Sequence, residues 1–236
     1  MGGPNIFGDP HIDSLPQIRA IVTDVDGTLY RNSIVRRRMA WELLRSCFRS
    51  PRSGWRAAWA IRVYRQVQEE LRAENFIGDV AAEQLSRSCR HLGFSADYLA
   101  GCVEEWMNKR PLDLLAPAAF PGTKDFFAAC RERDILLAAV SDYDPRLKLK
   151  ALGLDRFFQV VVCAQDPEVG RFKPDPLILR VAANRLGVKP NEALYIGDRE
   201  DVDVPAAHAA GVAYWMVATL WRSSASLNTA KLAIAV

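Results

Sequence analysis

The sequence has 236 residues, half of them hydrophobic, and a formal net charge of +3 at pH 7. This composition is typical of a soluble globular protein with one large or two small domains. No apolar stretch approaches the roughly 20 residues of a membrane-spanning helix and the N-terminus lacks a signal-peptide pattern, so we expect a cytoplasmic location. The five cysteines are odd in number and include no Cys-x-x-Cys pair, which argues against a disulfide framework and a zinc site.

The first predicted strand is the apolar run 18–22, which leads into the sequence DVDGT at residues 24–28. In an extended chain, residues two positions apart share a face, so Asp24 and Asp26 can point into one crevice. Gly27 has no side chain to block a ligand that approaches them. On its own, the pattern also fits a strand that ends in an ordinary Asp-Gly turn.

Residues 31–117 show only helical periods, which predicts a helical domain inserted between two parts of a core. The region from Arg31 to Arg72 holds eleven arginines and three glutamates, a local balance of +8 that leaves −5 for the rest of the chain. Within this region, large apolar residues recur every fourth position at Trp55, Trp59, Val63, Val67 and Leu71.

This repeat favours a single apolar stripe that packs inside the insertion, with the arginines in solvent. In that arrangement Trp59→Ala would destabilise the protein by about 3–5 kcal/mol. A basic helix with tryptophans also fits a surface that binds a membrane or nucleic acid. In a third arrangement, some arginines face a cleft and attract an anionic substrate.

After the insertion, predicted strands alternate with predicted helices, as in sheets of parallel strands. The predicted strands are residues 135–140, 157–162, 193–196 and 212–217. We therefore predict an α/β core over residues 18–30 and 118–221, with a parallel sheet covered by helices on both faces. Residues 1–17, rich in glycine and proline, are expected to be a loose arm, and the structure of the tail 222–236 is left open.

Three further polar segments follow predicted strands or open a helix. Ser141 follows one strand, Lys173 lies in the proline-flanked turn 170–176, and Asp198 begins an acidic turn after another strand. In open parallel sheets, ligands bind outside the carboxyl ends of the strands. Asp24, Asp26, Ser141 and Asp198 are all expected at that edge.

Taken in chain order, four segments resemble the motifs of the haloacid dehalogenase (HAD) superfamily. They are DVDGT at 24–28, VSDYD at 140–144, GRFKPDP at 170–176 and IGDREDVD at 196–203. The set, which spans residues 18–217, is most similar to phosphatase branches that carry a helical cap after the first motif. The resemblance implies a Rossmann-like core and an Mg²⁺-dependent phosphatase that hydrolyses a small phosphorylated metabolite through an aspartyl-phosphate intermediate.

The resemblance also implies roles for individual side chains. Asp24 would attack phosphorus, while Asp26 would protonate the leaving alcohol and then activate water, which requires its pKa to rise through burial or negative neighbours. Ser141 would donate a hydrogen bond to the phosphoryl group, and Lys173 would neutralise the charge of Asp24 and phosphate. The expected phosphate-binding residues are Gly27, Thr28, Ser141, Asp142 and Lys173.

A hard divalent cation is expected because several carboxylates beside a dianionic phosphate would otherwise repel it. The resemblance implies Mg²⁺ held by Asp24, the backbone carbonyl of Asp26, and Asp198. It also implies a second acid four or five positions after Asp198, where a side chain would orient a metal-bound water. Asp203 is the expected residue and Asp201 the alternative.

Three other functions fit parts of the sequence. A dehalogenase of the same superfamily needs no metal and has no use for the second acid, Asp26. A phosphomutase would share every residue named above. A non-catalytic regulatory protein could bind through the basic insertion, and neither the substrate nor the oligomeric state follows from the sequence.

Overall fold

The computed structural model describes residues 18–217, so the predicted arm (1–17) and tail (222–236) lie outside the described residues. The described residues contain a five-stranded, fully parallel sheet with the order β3-β2-β1-β4-β5. The strands are β1 (Ala20–Asp24), β2 (Leu136–Ser141), β3 (Val160–Cys163), β4 (Ala193–Gly197) and β5 (Ala213–Met216). This confirms the predicted Rossmann-like α/β fold.

Nine α-helices connect these strands within residues 18–217. They are α1 (Asn32–Arg49), α2 (Pro51–Ala73), α3 (Val80–Leu92), α4 (Ala96–Val103), α5 (Leu112–Ala118), α6 (Thr123–Arg131), α7 (Arg146–Leu152), α8 (Leu177–Leu186) and α9 (Asp203–Ala210). A π-helical segment, Glu104–Lys109, follows α4. None of the helices between residues 18 and 217 is both long and apolar enough to cross a membrane.

The sheet is covered on both faces, which explains why its strands are apolar throughout. On one face, α8 and α9 contribute Ile178 and Ala206 to a core that includes Val22. On the other face, α6 and α7 pack with Ile21 in a second core. All five residues of β1 are buried, because β1 lies at the centre of the sheet.

Strand β1 also marks the point where the strand order reverses. The chain continues from β1 to β2 on one side and later adds β4 on the other side. Crevices outside the carboxyl ends of strands at such a point are the usual ligand sites of open α/β sheets. Asp24, the last residue of β1, lies there, with Val140 opposite it in β2.

The helical insertion, residues 31–118, leaves and re-enters the core at adjacent points. Tyr30 and Ala119 form an isolated antiparallel bridge, and the Arg31 amide donates to the carbonyl of Ala118 at 2.9 Å. Only Ser50 separates α1 from α2 in the insertion. Gly54 belongs to α2 and lies against α1, where a Cβ atom would come 2.5 Å from Cα of Cys47.

The predicted strand at 157–162 begins later than expected. Residues Asp155–Phe157 form a 3₁₀ turn, and β3 starts at Val160. The phenylalanines that raised the apolar content of the predicted strand instead pack beneath α6, where Phe127 contacts the rings of Phe157 and Phe158.

The prediction of a single inward stripe on α2 is wrong for its N-terminal half. Val63, Val67 and Leu71 are buried, but Trp55 is 65% exposed and Trp59 is 53% exposed. An α-helix has 3.6 residues per turn, so each step of four residues rotates by about 40° and the four steps from Trp55 to Leu71 rotate by about 160°. A straight helix therefore cannot bury the whole repeat against one surface.

Candidate active site

A cleft of about 830 Å³ lies between the carboxyl ends of the strands and the helical insertion. We call the side formed by the strand ends and the 170–176 turn the floor, and the side formed by α1 and α2 the wall. The floor brings together residues that are far apart in the sequence. The predicted residues that line the cleft are Asp24, Asp26, Ser141, Asp142, Lys173 and Asp198.

Lys173 connects two carboxylates at the bottom of the cleft. Its Nζ donates to Oδ1 of Asp24 at 2.7 Å, to Oδ1 of Asp203 at 2.7 Å and to the Tyr195 hydroxyl at 3.0 Å. Burial opposes its charge, but Asp24, Tyr195 and Asp203 raise the pKa of Lys173 well above its usual value. Lys173 is therefore a fixed positive charge beside Asp24.

Asp24 is buried, and its second oxygen accepts a hydrogen bond from Thr28 Oγ1 at 3.4 Å. Burial raises the pKa of Asp24, Lys173 opposes that rise, and the negative charges of Asp203 and Asp198 add to it. Thr28, predicted to bind phosphate, is buried and in this structure contacts the Asp24 carboxylate.

Asp26 is held by Lys148, a residue that the sequence did not single out. Lys148 Nζ lies 2.7 Å from both carboxylate oxygens of Asp26, and the Tyr30 hydroxyl donates to the same carboxylate. Burial acts to raise the pKa of Asp26, but the charge and hydrogen bonds of Lys148, with the Tyr30 hydrogen bond, lower it below its usual value. The expectation of a raised pKa is therefore wrong for this geometry, because the nearest charge to Asp26 is positive.

Asp198 and Gly27 lie in close contact. A Cβ atom on Gly27, whose φ is +96°, would come 2.0 Å from Oδ2 of Asp198, so only glycine fits there. Within residues 18–217 the Asp198 carboxylate accepts no hydrogen bond. Burial and the charge of Asp203 raise the pKa of Asp198 to about 6.

Asp203 has protein partners on both carboxylate oxygens. Oδ1 accepts from Lys173 and from the Tyr195 hydroxyl (2.8 Å), and Oδ2 accepts from the backbone amides of Asp198 (3.1 Å) and Arg199 (3.0 Å). Four hydrogen bonds use the acceptor capacity of a carboxylate. Asp203 therefore holds the turn that carries Asp198, and its role beside a metal-bound water stays a prediction.

The alternative residue for that role, Asp201, lies at the surface. Its side chain is 68% exposed and pairs with Arg199 at 2.7 Å. The pairing lowers the pKa of Asp201, and the residue does not line the cleft.

Ser141 and Asp142, at the end of β2, have different environments. Ser141 is buried and lines the cleft, and its Oγ accepts a hydrogen bond from the Tyr143 amide at 3.4 Å. Asp142, expected to contact phosphate, accepts hydrogen bonds from Arg72 Nη2 at 2.5 Å and Gln68 Nε2 at 3.1 Å. Its carboxylate thus joins α2 to the loop after β2.

The negative charges and oxygen ligands of the floor fit a hard divalent cation. Asp24 and Asp198 both line the cleft, and the Gly27 contact leaves the free carboxylate of Asp198 at the mouth of the DVDGT turn. Within the described part of the chain, no three His, Cys, Asp or Glu side chains form a metal cluster. The expected set of metal ligands includes only two side chains, those of Asp24 and Asp198, because its third protein ligand is the backbone carbonyl of Asp26.

Comparison with known proteins places the chain in a family. The profile of haloacid dehalogenase-like hydrolases matches residues 18–211. Glyceraldehyde 3-phosphate phosphatase of Methanopyrus kandleri is 32% identical over 202 residues, which cover 83% of this chain and 82% of that protein. Phosphoserine phosphatase of Thermus thermophilus is 39% identical over 101 residues, 41% of this chain and 40% of that protein.

Solved structures share the fold at lower identity. A 2-haloacid dehalogenase from Pseudomonas syringae covers 93% of this chain and 100% of its own, with a TM-score of 0.61 and 18% identity. A predicted phosphoglycolate phosphatase from Haemophilus somnus covers 84% of each chain, with a TM-score of 0.51 and 20% identity. Because the family profile matches residues 18–211 and the Methanopyrus kandleri relative is matched over 82% of its length, the chain belongs to the haloacid dehalogenase-like hydrolase family.

Proposed function

We propose that this hydrolase of phosphoric monoesters is Mg²⁺-dependent and releases phosphate from a small metabolite through an aspartyl-phosphate on Asp24. The observation that carries the proposal is the floor itself. A carboxylate at the end of the central strand is bound by a buried lysine at 2.7 Å and faces a second, unbonded carboxylate on Asp198. Family membership and phosphatases among the relatives support the same chemistry.

In the first step, an oxygen of Asp24 attacks phosphorus, the bond from phosphorus to the alcohol oxygen breaks, and that oxygen takes a proton. Lys173 is placed to offset the negative charge that accumulates between Asp24 and the phosphoryl group. Ser141, buried at the edge of the cleft, is placed to donate its hydroxyl proton to a phosphoryl oxygen. In the second step, water attacks the phosphorus of the aspartyl-phosphate and Asp24 leaves as a carboxylate.

Asp26 would supply the proton in the first step and accept one from water in the second. The Lys148 contact holds Asp26 ionised, which suits the second step. We assign the acid role to a state in which Lys148 has turned from Asp26 to the bound phosphate. Lys148 would then counter the phosphate charge while Asp26, buried and without its positive neighbour, carries the proton.

Mg²⁺ would be held by Asp24, Asp198 and the backbone carbonyl of Asp26. When bound, it would supply positive charge against the phosphoryl oxygens and allow the two carboxylates to stay ionised side by side. Asp203 would act through the protein, by fixing the Asp198 turn and Lys173.

A phosphomutase remains the second candidate, because its chemistry needs the same floor. The two differ in the fate of the phosphoryl group, which a mutase returns to a second hydroxyl and a phosphatase gives to water. Phosphate release in a 1:1 ratio to alcohol would support the phosphatase, whereas an isomeric phosphate without free phosphate would support the mutase. The names of the relatives suggest a first panel of glyceraldehyde 3-phosphate, phosphoserine and phosphoglycolate.

The proposal is tested with p-nitrophenyl phosphate and Asp24→Asn. The amide keeps the volume of the side chain but cannot attack phosphorus, so we expect a loss of at least about 10⁴-fold in kcat, as for removal of other catalytic nucleophiles. Asp201→Asn, the same aspartate-to-asparagine change at the protein surface, should retain activity. A folded Asp24→Asn protein within tenfold of wild type would contradict the role of Asp24.

A further inference from the structure

Two arginines in the wall of the cleft have no acidic partner. Arg36 on α1 and Arg65 on α2 both line the cleft, and neither forms an ion pair with any residue between 18 and 217. The other cationic residues that line the cleft each have a carboxylate partner. These pairs are Arg72 with Asp142, Lys148 with Asp26, Lys173 with Asp24, and Arg199 with Asp201.

The two guanidinium groups without an ion-pair partner among residues 18–217 line the same cleft. The side chain of Arg65 reaches the solvent of the cleft, but the surrounding protein still removes enough water to lower its pKa, and the charge of Arg36 lowers it further. Two positive charges that line one cleft without ion-pair partners favour the binding of an anion there. The wall is thus arranged to receive negative charge.

The position of the arginine pair separates it from the phosphoryl site. Lys173 and Ser141 lie on the floor, whereas Arg65 has Tyr143, Asp26 and Tyr30 as its neighbouring charges and polar groups. Asp26, the residue proposed to protonate the leaving alcohol, lines the same cleft as Arg65, so we place Arg65 on the leaving-group side. Apolar side chains of the wall, Met39 and Leu43, line the same cleft.

We propose that the substrate is a phosphomonoester whose alcohol carries a second anionic group, a carboxylate or a second phosphate, bound by Arg36 and Arg65. This proposal rests on the proposed phosphatase function and deepens it. A guanidinium pair binds either anion through charge-assisted, often bidentate hydrogen bonds. The experiment distinguishes the two.

The test compares substrates that differ only at the far end of the alcohol. Carboxyalkyl phosphates of two to four carbons are matched with hydroxyalkyl phosphates of the same length and with the corresponding alkane bisphosphates. We expect kcat/KM for one anionic series to exceed that of the hydroxyl series by about 10- to 100-fold, the range expected for one or two charge-assisted hydrogen bonds, mainly through KM. Which anionic series gains identifies the second group.

Arg36→Gln and Arg65→Gln should each reduce this preference ratio toward one, with a larger loss in the double variant. Arg62→Gln is the matched control, because Arg62 is an exposed arginine of the same helix outside the cleft. A wild-type ratio near one, or an equal loss on charged and uncharged substrates in the variants, would overturn the inference. Failure to hydrolyse any ester, p-nitrophenyl phosphate included, would instead contradict the proposed function.

A second inference comes from the outer face of the α1–α2 hairpin. On α1, Trp41 is 62% exposed and Phe48 is 79% exposed, and on α2 Trp55 and Trp59 are exposed as described above. Trp41, Leu44 and Phe48 share one face of α1, opposite the face that buries Val35 and Cys47. We call the exposed residues Trp41, Leu44, Phe48, Trp55 and Trp59 the aromatic face.

Exposed arginines surround the aromatic face. Arg37, Arg45, Arg52 and Arg62 are exposed and form no ion pair within the described residues. The Arg62 guanidinium lies 6.0 Å from the centre of the Trp59 ring. A second copy of this chain would bring the same positive charge against this face, which disfavours self-association and favours an anionic surface.

We infer that the aromatic face binds an anionic lipid surface. Tryptophan and phenylalanine side chains on a helical face flanked by arginines match the interfacial region of a bilayer, where aromatic rings enter the headgroup level and arginines meet anionic headgroups. The active-site cleft opens on a different side of α1 and α2, since Arg36 and Arg65 line it and the aromatic face does not.

Co-sedimentation with phosphatidylcholine vesicles, with and without phosphatidylserine, tests this inference. We expect binding that requires phosphatidylserine, weakens with salt and falls at least about tenfold in Trp55→Ser/Trp59→Ser. Ile77→Ser is the control, because Ile77 is 64% exposed and outside the hairpin. No vesicle binding, or a dimer or nucleic-acid complex lost in the same variant without lipid, would overturn the inference.

Discussion

The floor and the wall of the cleft differ in how their charges are compensated. On the floor, Lys173 is shared by Asp24 and Asp203, and every oxygen of Asp203 has a partner. On the wall, Arg36 and Arg65 line the cleft without an ion pair to any residue between 18 and 217. The protein itself holds Lys173 and Asp203 on the floor in place before any ligand binds, whereas the arginines of the wall are proposed to gain their partner from the substrate. Substitutions on the floor should therefore have larger effects than substitutions at the surface of the insertion.

Removal of the metal should abolish activity. Chelation with EDTA should stop hydrolysis of p-nitrophenyl phosphate, and millimolar Mg²⁺ should restore it. Asp198→Ala should raise the Mg²⁺ concentration that gives half-maximal rate by more than about 100-fold, because it removes a side chain expected to bind the ion directly. Ca²⁺ should substitute poorly, since it prefers seven or eight ligands.

Glu200→Ala is the control for the metal titration, since Glu200 is an exposed acid in the same turn. Its Mg²⁺ dependence should match that of the wild type. Full activity in a metal-free preparation would favour the dehalogenase type of chemistry.

Loss of the Asp203 carboxylate should damage both stability and activity. In Asp203→Asn, the side-chain NH2 group must face either Lys173 or the two backbone amides. In both orientations one hydrogen-bond donor is placed against another. We expect a decrease in the free energy of unfolding of about 3–5 kcal/mol, as for other broken buried pairs. Denaturant unfolding measures this change, and Asp201→Asn at the surface should stay within about 0.5 kcal/mol of wild type.

The roles given to these two residues would be exchanged if Asp203→Asn left the denaturant unfolding midpoint unchanged and Asp201→Asn raised the Mg²⁺ requirement. The floor would then be less rigid than its hydrogen bonds indicate.

Lys148→Met should shift the pH dependence of hydrolysis. Lys148 lowers the pKa of Asp26 against the effect of burial, so without Lys148 that pKa should rise. If water activation needs ionised Asp26, activity on p-nitrophenyl phosphate should then be lost at a higher pH on the acidic side than in wild type. Lys150→Met, an exposed change on the same helix, should leave the profile in place. A profile shifted toward lower pH would contradict the assigned pairing.

The smallest predicted effect concerns the two halves of α2. Val67 is completely buried, so Val67→Ala should lower the free energy of unfolding by about 1–3 kcal/mol. Trp59→Ala removes a larger side chain from an exposed position and should change the free energy of unfolding by no more than about 0.5 kcal/mol. A thermal unfolding series measures both, and a larger loss for Trp59→Ala would restore the packed stripe expected from the sequence.

The sequence predicted the strands and most of the floor because those features depend on local patterns. A strand that ends in Asp24 places its carboxylate at the sheet edge, and the same is true of Ser141 and Asp198. Apolar runs with glycine or proline at their ends specify both the strand and its end. These residues could therefore be assigned without knowledge of the tertiary packing.

The pairs that modify this chemistry join distant parts of the chain, and the sequence carried no signal for them. Lys148 binds Asp26 across 122 positions and looks like any basic residue of a short helix. Asp142 follows Ser141 directly, but its partner Arg72 lies in the insertion. The exposure of Trp59 depends on where α2 meets the core, which a repeat of four residues does not reveal.

The contact between Asp142 and Arg72 has a thermodynamic consequence. Ser141, which ends β2 and lines the cleft, is followed directly by Asp142, which anchors α2. Displacement of α2 should therefore disturb the segment that holds Ser141, the proposed phosphate donor. Coupling of this kind is reciprocal. If the position of α2 in which Arg72 contacts Asp142 strengthens phosphate binding at Ser141, then bound phosphate should stabilise that position of α2 by the same free energy. We expect inorganic phosphate alone to slow amide hydrogen exchange in α2.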